Sequence, residues 1–155
     1  MIDDSRTSPS LILPMTRADL DSVYRIAEVS FPVSWSRESF EDELQNRWAV
    51  LRVLRPGSGE SVCGFSHFWL LGEGIELHNL AVLPQARGRG YGLALIEDMA
   101  EIAAIRGAKE AWLEVRRSNL AAIALYQRAG FEKVGVRPRY YSNNDEDALT
   151  MKINF

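Results

Sequence analysis

The chain reads as one mixed α/β domain, a single sheet with helices packed on it, and three observations predict this. Its 155 residues match one domain at roughly 150 residues per domain. Hydrophobic residues make up 46% and charged residues 25%, the mix of a soluble protein with its own core. The hydrophobic period also switches between helical and extended spacing in the order β-α-α-β-β-β-α-β-α-β-β.

Each element has a local reason. Residues 1–10 are polar and read as a flexible tail, and the domain runs over 11–155. Leu11-Ile12-Leu13 is a short strand closed by Pro14. Thr16-Arg17-Ala18-Asp19 has the form of a capping box, and Leu20, Val23, Tyr24 and Ala27 follow at helical spacing until Phe31-Pro32. Ser36 caps a second helix, with Trp35 before the cap and Phe40 placed to form a hydrophobic staple. Trp48–Arg55, Ser61–Leu71 and Ile75–Leu83 are strand-like runs joined by glycine turns, an antiparallel meander. A helix then runs to Arg106 with Gly107 as its stop. Ala111–Val115 is a strand, Ser118 caps a helix over Asn119–Ala129, and Gly130 ends it. Two last strands, Phe131–Val136 and Ala148–Asn154, flank a loop over Arg137–Asp147.

Composition narrows the function. The lone Cys63 excludes a disulfide framework and a multi-cysteine metal site, and it suits a reducing, cytoplasmic setting. Apolar runs such as Phe68–Leu71 fall far short of the roughly 20 residues that span a bilayer, and the first ten residues are no secretory signal. A net charge of −3 argues against a nucleic-acid partner, although the charge is unevenly placed. Residues 1–86 carry 7 basic and 12 acidic side chains, residues 87–139 carry 10 and 6, and residues 140–155 carry 1 and 3. The positive stretch suits a phosphate-rich ligand, and the negative ones suit a cationic acceptor.

That positive stretch opens on Arg87-Gly88-Arg89-Gly90-Tyr91-Gly92, between a strand and a helix. Glycines let backbone N–H groups approach a ligand closely, and a helix N-terminus adds partial positive charge, so the loop points to phosphate or pyrophosphate. No Lys-Ser or Lys-Thr follows, which excludes a P-loop. Leu93 stands where a dinucleotide fingerprint needs a small residue. The plain alternative is a solvated basic turn.

With Asn79-Leu80-Ala81-Val82 ahead of it, this loop resembles the acyl-CoA loop of the GNAT acetyltransferases, Arg/Gln-x-x-Gly-x-Gly/Ala, at Arg87, Gly90 and Gly92. The resemblance continues through Trp112-Leu113-Glu114-Val115-Arg116-x-Ser118-Asn119, Ala122–Tyr126, Gly130-Phe131, Tyr140-Tyr141 and Glu146-Asp147-Ala148. That longer set is similar to the RimI branch, which acetylates the N-terminal alanine of a small-subunit ribosomal protein. It implies a GNAT-like fold, a mostly antiparallel sheet of about seven strands splayed around the CoA loop and flanked by about four helices. It also implies acetyl-CoA as cosubstrate, no metal, and a protein N-terminus as acceptor for a monomer or weak dimer. Leu80, Ala81, Val82, Arg87, Gly88, Arg89, Gly90, Tyr91, Gly92, Leu93 and Asn119 are then the cofactor-binding residues. Asn119 also has a plain reading as a helix cap beside Ser118.

Glu114 stands between Leu113 and Val115 in an apolar strand. A carboxylate there is costly unless paired or facing a cavity. It is either a general base in a desolvated setting or one half of a salt bridge to Arg116 or another arginine. The resemblance makes Glu114 the catalytic base. Glu76 and His78, sharing a face of the preceding strand by alternation, are rivals for that role. Tyr126 is by itself a packing tyrosine with its hydroxyl at the rim. In the family it protonates the leaving thiolate. Arg137 and Arg139 with Tyr140-Tyr141 form a basic-aromatic stretch, and Asp145-Glu146-Asp147 reads as a solvated turn. The resemblance puts this hairpin, with Trp35, at the acceptor site. Cys63 and His67 read as ordinary strand residues. One departure stands out: the family has Phe-Pro-Trp-Ser before the second helix, whereas Val33-Ser34 is inserted here.

Two other functions remain open on sequence alone. One is a lysine, polyamine or aminoglycoside acetyltransferase, and the other is an acyl-CoA-binding module without catalysis.

Overall fold

The computed structural model describes residues 10–155, so the tail expected over 1–10 lies outside the described residues except for Ser10. The elements come in the expected order: β1 (Leu11–Pro14), α1 (Leu20–Ser30), α2 (Arg37–Glu43), β2 (Ala49–Arg55), β3 (Gly64–Leu71), β4 (Gly74–Val82), α3 (Tyr91–Arg106), β5 (Glu110–Arg116), α4 (Leu120–Arg128), β6 (Glu132–Tyr141) and β7 (Glu146–Asn154). The seven strands form one sheet ordered β1-β2-β3-β4-β5-β7-β6. The pairs β1–β2, β5–β7 and β6–β7 are antiparallel. β4 and β5 are parallel, which demands a long crossover, and α3 is that crossover in the chain. Their ladder runs from Gly74↔Glu110 to Leu77↔Leu113, so Leu80–Val82 of β4 lie beyond its end.

Two compact units divide the chain. The first holds the described residues up to His67 together with Asn79–Leu95, and the second holds Phe68–His78 and Ile96–Phe155.

In the first unit the capping box forms, with the Thr16 N–H donating to Asp19 Oδ2 at 2.9 Å. The turn it closes is a 3-10 turn over Arg17–Asp19, and the α-helix starts one residue later, at Leu20. Asp19 also pairs with Arg55 Nη2 at 2.9 Å, which ties the helix start to β2. Ser36 accepts from the Ser39 N–H at 3.0 Å, and the Trp35 and Phe40 rings stand 5.9 Å apart, the expected cap and staple. Leu20, Val23, Ile26 and Ala27 of α1 pack with Phe40, Val53 and Phe65 in one apolar cluster.

In the second unit β5 alternates strictly. Ala111, Leu113 and Val115 are buried, whereas Trp112, Glu114 and Arg116 lie on the other, partly open face. Glu114 therefore does not sit in the apolar core that its sequence neighbours suggest. Gly107 and Gly130 follow the ends of α3 and α4 with φ of 79° and 104°, left-handed backbone that favours glycine.

Two local expectations are overturned. Ser118 does not cap α4. Asn119 does, its Oδ1 accepting from the Ala122 N–H at 3.2 Å, while the Ser118 N–H donates to Glu146 Oε2 at 2.7 Å. Nor is Arg137–Asp147 a loop. β6 runs on to Tyr141 and β7 starts at Glu146, because register shifts at Lys133/Gly135 and Arg137/Tyr141 absorb Pro138 without ending the strand. Glu146 is accordingly a strand residue and not part of a solvated turn.

Candidate active site

The first unit carries the glycine loop. Gly88 and Gly90 have φ of 80° and 83°, and a Cβ at either would meet open space. Backbone conformation, not crowding, therefore calls for glycine at both positions. Such left-handed residues turn successive N–H groups into a concavity suited to an anion. α3 begins at Tyr91, with no acid in its first turn to oppose that charge. Gly92 and Leu93 lie in this first turn, and Ala94 N–H donates to Gly90 O at 3.0 Å. Arg89 is exposed, whereas Arg87 turns back so that its Nε donates to Val82 O at 3.0 Å. Arg87 thus fastens the loop to the end of β4, a role its sequence position does not reveal. Ala81 and Val82 are buried and Leu80 is half-buried.

The same unit holds a network that the sequence reading missed. His67 is fully buried on β3, and Nε2 lies 2.6 Å from Glu43 Oε1 while Nδ1 lies 2.9 Å from Asn79 Nδ2. With the Asn79 amide donating to Nδ1, Nε2 carries the proton and donates to Glu43. Glu43 Oε2 accepts from Asn46 Nδ2 at 2.8 Å, so both oxygens of this buried carboxylate are satisfied. Trp35 stands edge-on to His67, centroids 4.7 Å apart. His67 is therefore not an ordinary strand residue. The available signal was Glu43 on the apolar side of α2, three residues after Phe40. Cys63 is buried too, and burial pushes its thiol up, the state of an inert packing cysteine.

The second unit gathers Glu114, Arg116, Arg137, Tyr140 and Tyr141. Glu114 faces Thr150 across the β5–β7 ladder, and the Thr150 hydroxyl donates to Oε2 at 2.7 Å. Oε1 pairs with Arg137 Nε at 3.0 Å. The arginine partner is thus Arg137, from β6, and not Arg116. Arg116 turns to the β6–β7 turn instead: it pairs with Glu146 at 3.4 Å, donates to Asn143 and Asn144, and covers the Tyr141 ring at 3.9 Å. Burial is the main reason the Tyr141 phenol is pushed up to about 12, despite Arg116. Glu146 is held down to about 2, chiefly by its hydrogen bonds with Ser118.

Tyr126 on α4 is buried and packs edge-on to Phe131 at 5.7 Å. Burial, with a smaller push from Tyr141, raises its phenol well above the ordinary range, so it stays protonated. The rivals for the base also form a pair, His78 Nε2 to Glu76 Oε2 at 3.6 Å, with the Trp69 ring tilted against His78, centroids 4.4 Å apart. Among the described residues, no cluster of three or more His, Cys, Asp or Glu side chains is arranged to hold a metal ion.

These features belong to a transferase of known architecture. The model of the acetyltransferase (GNAT) family matches residues 20–131, and the chain belongs to that family. It is 35% identical over 158 residues to the N-alpha-acetyltransferase RimI of Mycobacterium tuberculosis, covering 94% of this chain and 93% of that one. It is 32% identical over 144 residues to the [ribosomal protein bS18]-alanine N-acetyltransferase of Escherichia coli K12, covering 92% and 95%. The crystal structure of the Escherichia coli ribosomal-protein-S18-alanine N-acetyltransferase superposes with a TM-score of 0.84 at 31% identity, over 94% of each chain. The protein is an N-acetyltransferase.

Proposed function

We propose that the protein transfers acetyl from acetyl-CoA to the N-terminal α-amine of a protein, the alanine of ribosomal protein bS18. The observation that carries this is the 32% identity spanning 95% of the Escherichia coli enzyme named for that reaction. The reading takes 11–155 as one catalytic domain, working in the cytoplasm as a monomer or weak dimer. No helix among the described residues is long and apolar enough to cross a membrane.

The roles of the residues rest on their chemistry and on the family likeness. The Gly88 and Gly90 concavity fits a pyrophosphate, with Arg89 and the first turn of α3 adding positive charge. Backbone groups of Leu80–Val82, past the end of the β4–β5 ladder, are the choice for the pantetheine arm, with an N–H near Val82 to hold the oxyanion. Glu114 takes a proton from the attacking amine, and the Tyr126 phenol gives one to the departing sulfur. Burial keeps that phenol protonated at neutral pH, so the proton is there to be given. Asn119 is engaged as the α4 cap, so any contact of its side chain with the arm is made by its remaining amide group.

An α-amine is also the easier acceptor. At neutral pH an α-amino group with pKa near 8 is roughly 10% neutral and a lysine about 0.04%, a gap of about 3 kcal/mol in deprotonation. Acetylation of an Ala-Arg-initiated peptide, spermidine, an aminoglycoside and an acetyl-capped lysine peptide, compared at one concentration, tests the reading. Preference for the alanine peptide is the expected result, and preference for the capped lysine peptide contradicts it. Coenzyme A binding without thiol release for any amine points to the non-catalytic alternative.

A further inference from the structure

Both oxygens of Glu114 are engaged within the protein, and the two partners differ in kind. Thr150 stands directly opposite on β7, with its backbone in the ladder. Arg137 comes from β6, the outermost strand in the sheet order, at a point where the β6–β7 register slips. The Arg137 side chain is 60% exposed, whereas that of Glu114 is 23% exposed. An arginine so open to water gives up little by swinging away, because exposed ion pairs are weak. In this same position its guanidinium lies over the Tyr140 ring, 5.6 Å from the centroid, an exposed contact that adds little.

The other charged and titratable groups around Glu114 are committed. Arg116, on its own strand, is held by Glu146, Asn143 and Asn144, with Tyr141 beneath it. Lys152 of β7 pairs with Glu110 at 3.1 Å. Glu76 of β4, in register with Trp112, pairs with His78. Oε1 is therefore guarded by one readily displaced cation. A protonated α-amine has the same charge and the same kind of N–H donor, and the two cannot occupy Oε1 in the same way at once.

We propose that Arg137 is a placeholder for the acceptor's ammonium, covering Glu114 and swinging out to solvent when the acceptor arrives. Acceptor binding then exchanges one cation for another at Oε1 without stranding the carboxylate. The exchange makes Arg137 a specificity-determining residue: an acceptor lacking positive charge at the incoming nitrogen does not displace it. This inference rests on Glu114 being the group that meets the acceptor amine.

A double-mutant cycle tests it, with an alanine-initiated peptide as the probe. Arg137→Gln is expected to lower the peptide KM about two- to five-fold, the range of an exposed pair, and to raise kcat/KM accordingly. Arg137→Lys keeps the cation and is expected to restore the wild-type KM. In a Glu114→Gln background there is no charge to cover. Adding Arg137→Gln there is expected to change the calorimetric peptide Kd by less than about 1.5-fold, as for uncoupled sites. A higher KM in Arg137→Gln, or an equal change in Kd with and without Glu114, overturns the proposal. Failure of the underlying reading looks different. Glu114→Gln would then keep wild-type turnover, whatever Arg137 does.

Discussion

Two buried or half-buried carboxylates, one in each unit, meet water in opposite ways. Glu43 is sealed: His67 and Asn46 serve its oxygens, and Asn79, Trp35 and Phe40 surround the imidazole. Glu114 is partly open, with a fixed hydroxyl on one oxygen and an exposed guanidinium on the other. Geometry alone makes the first network look more like a catalytic relay. Yet it includes no nucleophile, and its polar atoms are already satisfied by one another, so its work is to hold α2, β3 and β4 of the first unit together. The second has one exposed partner, which suits the role of general base proposed for it. The carboxylate proposed for chemistry is set apart here by the exposure of its partner, more than by the depth of its own burial.

The largest expected effects break one network without touching the other. Glu114→Gln should lower kcat by about 10²- to 10⁴-fold, the range for losing a general base, while the urea midpoint moves little because an exposed ion pair contributes at most about 1 kcal/mol. His67→Ala should do the reverse in stability. It leaves Glu43 buried without its donor and should cost about 3–5 kcal/mol of unfolding free energy in a urea titration. Equal stability loss in the two variants would erase the distinction between the networks.

Tyr126→Phe sharpens the catalytic side. It should lower kcat about 10²-fold, and the wild-type rate should show no falling limb from this phenol below about pH 10, since burial keeps it protonated. A tyrosine-linked decline near pH 8 to 9, lost in the variant, would contradict that.

The smallest effect concerns the hairpin behind Glu114. Glu146 is lowered from 4.5 to about 2 in the folded protein, so its contacts with Ser118 and Arg116 are complete above its unfolded range and lost as pH falls toward about 2. Carboxyl-carbon NMR should show Glu146 titrating near that lower value, with the Ser118 amide losing its hydrogen bond in step. Titration in the ordinary carboxylate range would mean the hairpin is not anchored this way.

Sequence pattern carried the order of elements because each has its own punctuation: the Thr16–Asp19 box, the Trp35–Phe40 staple, and the stops at Gly107 and Gly130. It failed where tertiary contacts decide. Pro138 and the charges around it read as loop, and two register shifts let the strand continue. Ser118 and Asn119 are both good caps; the helix starts at Leu120, so Asn119 caps it, while the Ser118 N–H is anchored by Glu146 from β7. Gly88 and Gly90 were legible because glycine spacing encodes backbone conformation directly. Glu114 was legible as an acid out of place, although its partner Arg137 lies 23 residues away and no local period points to it. The Glu43–His67–Asn79 network is assembled from three elements, and only Glu43, on the apolar side of α2, hinted at it.

The central claim is that the acceptor is a protein's α-amine. One peptide carrying both a free N-terminal alanine and an internal lysine, incubated with acetyl-CoA and mapped by tandem mass spectrometry, tests it most directly. Acetyl on the alanine nitrogen, with the lysine untouched, is the predicted result. Acetyl on the lysine, with the N-terminus left free, would contradict the account.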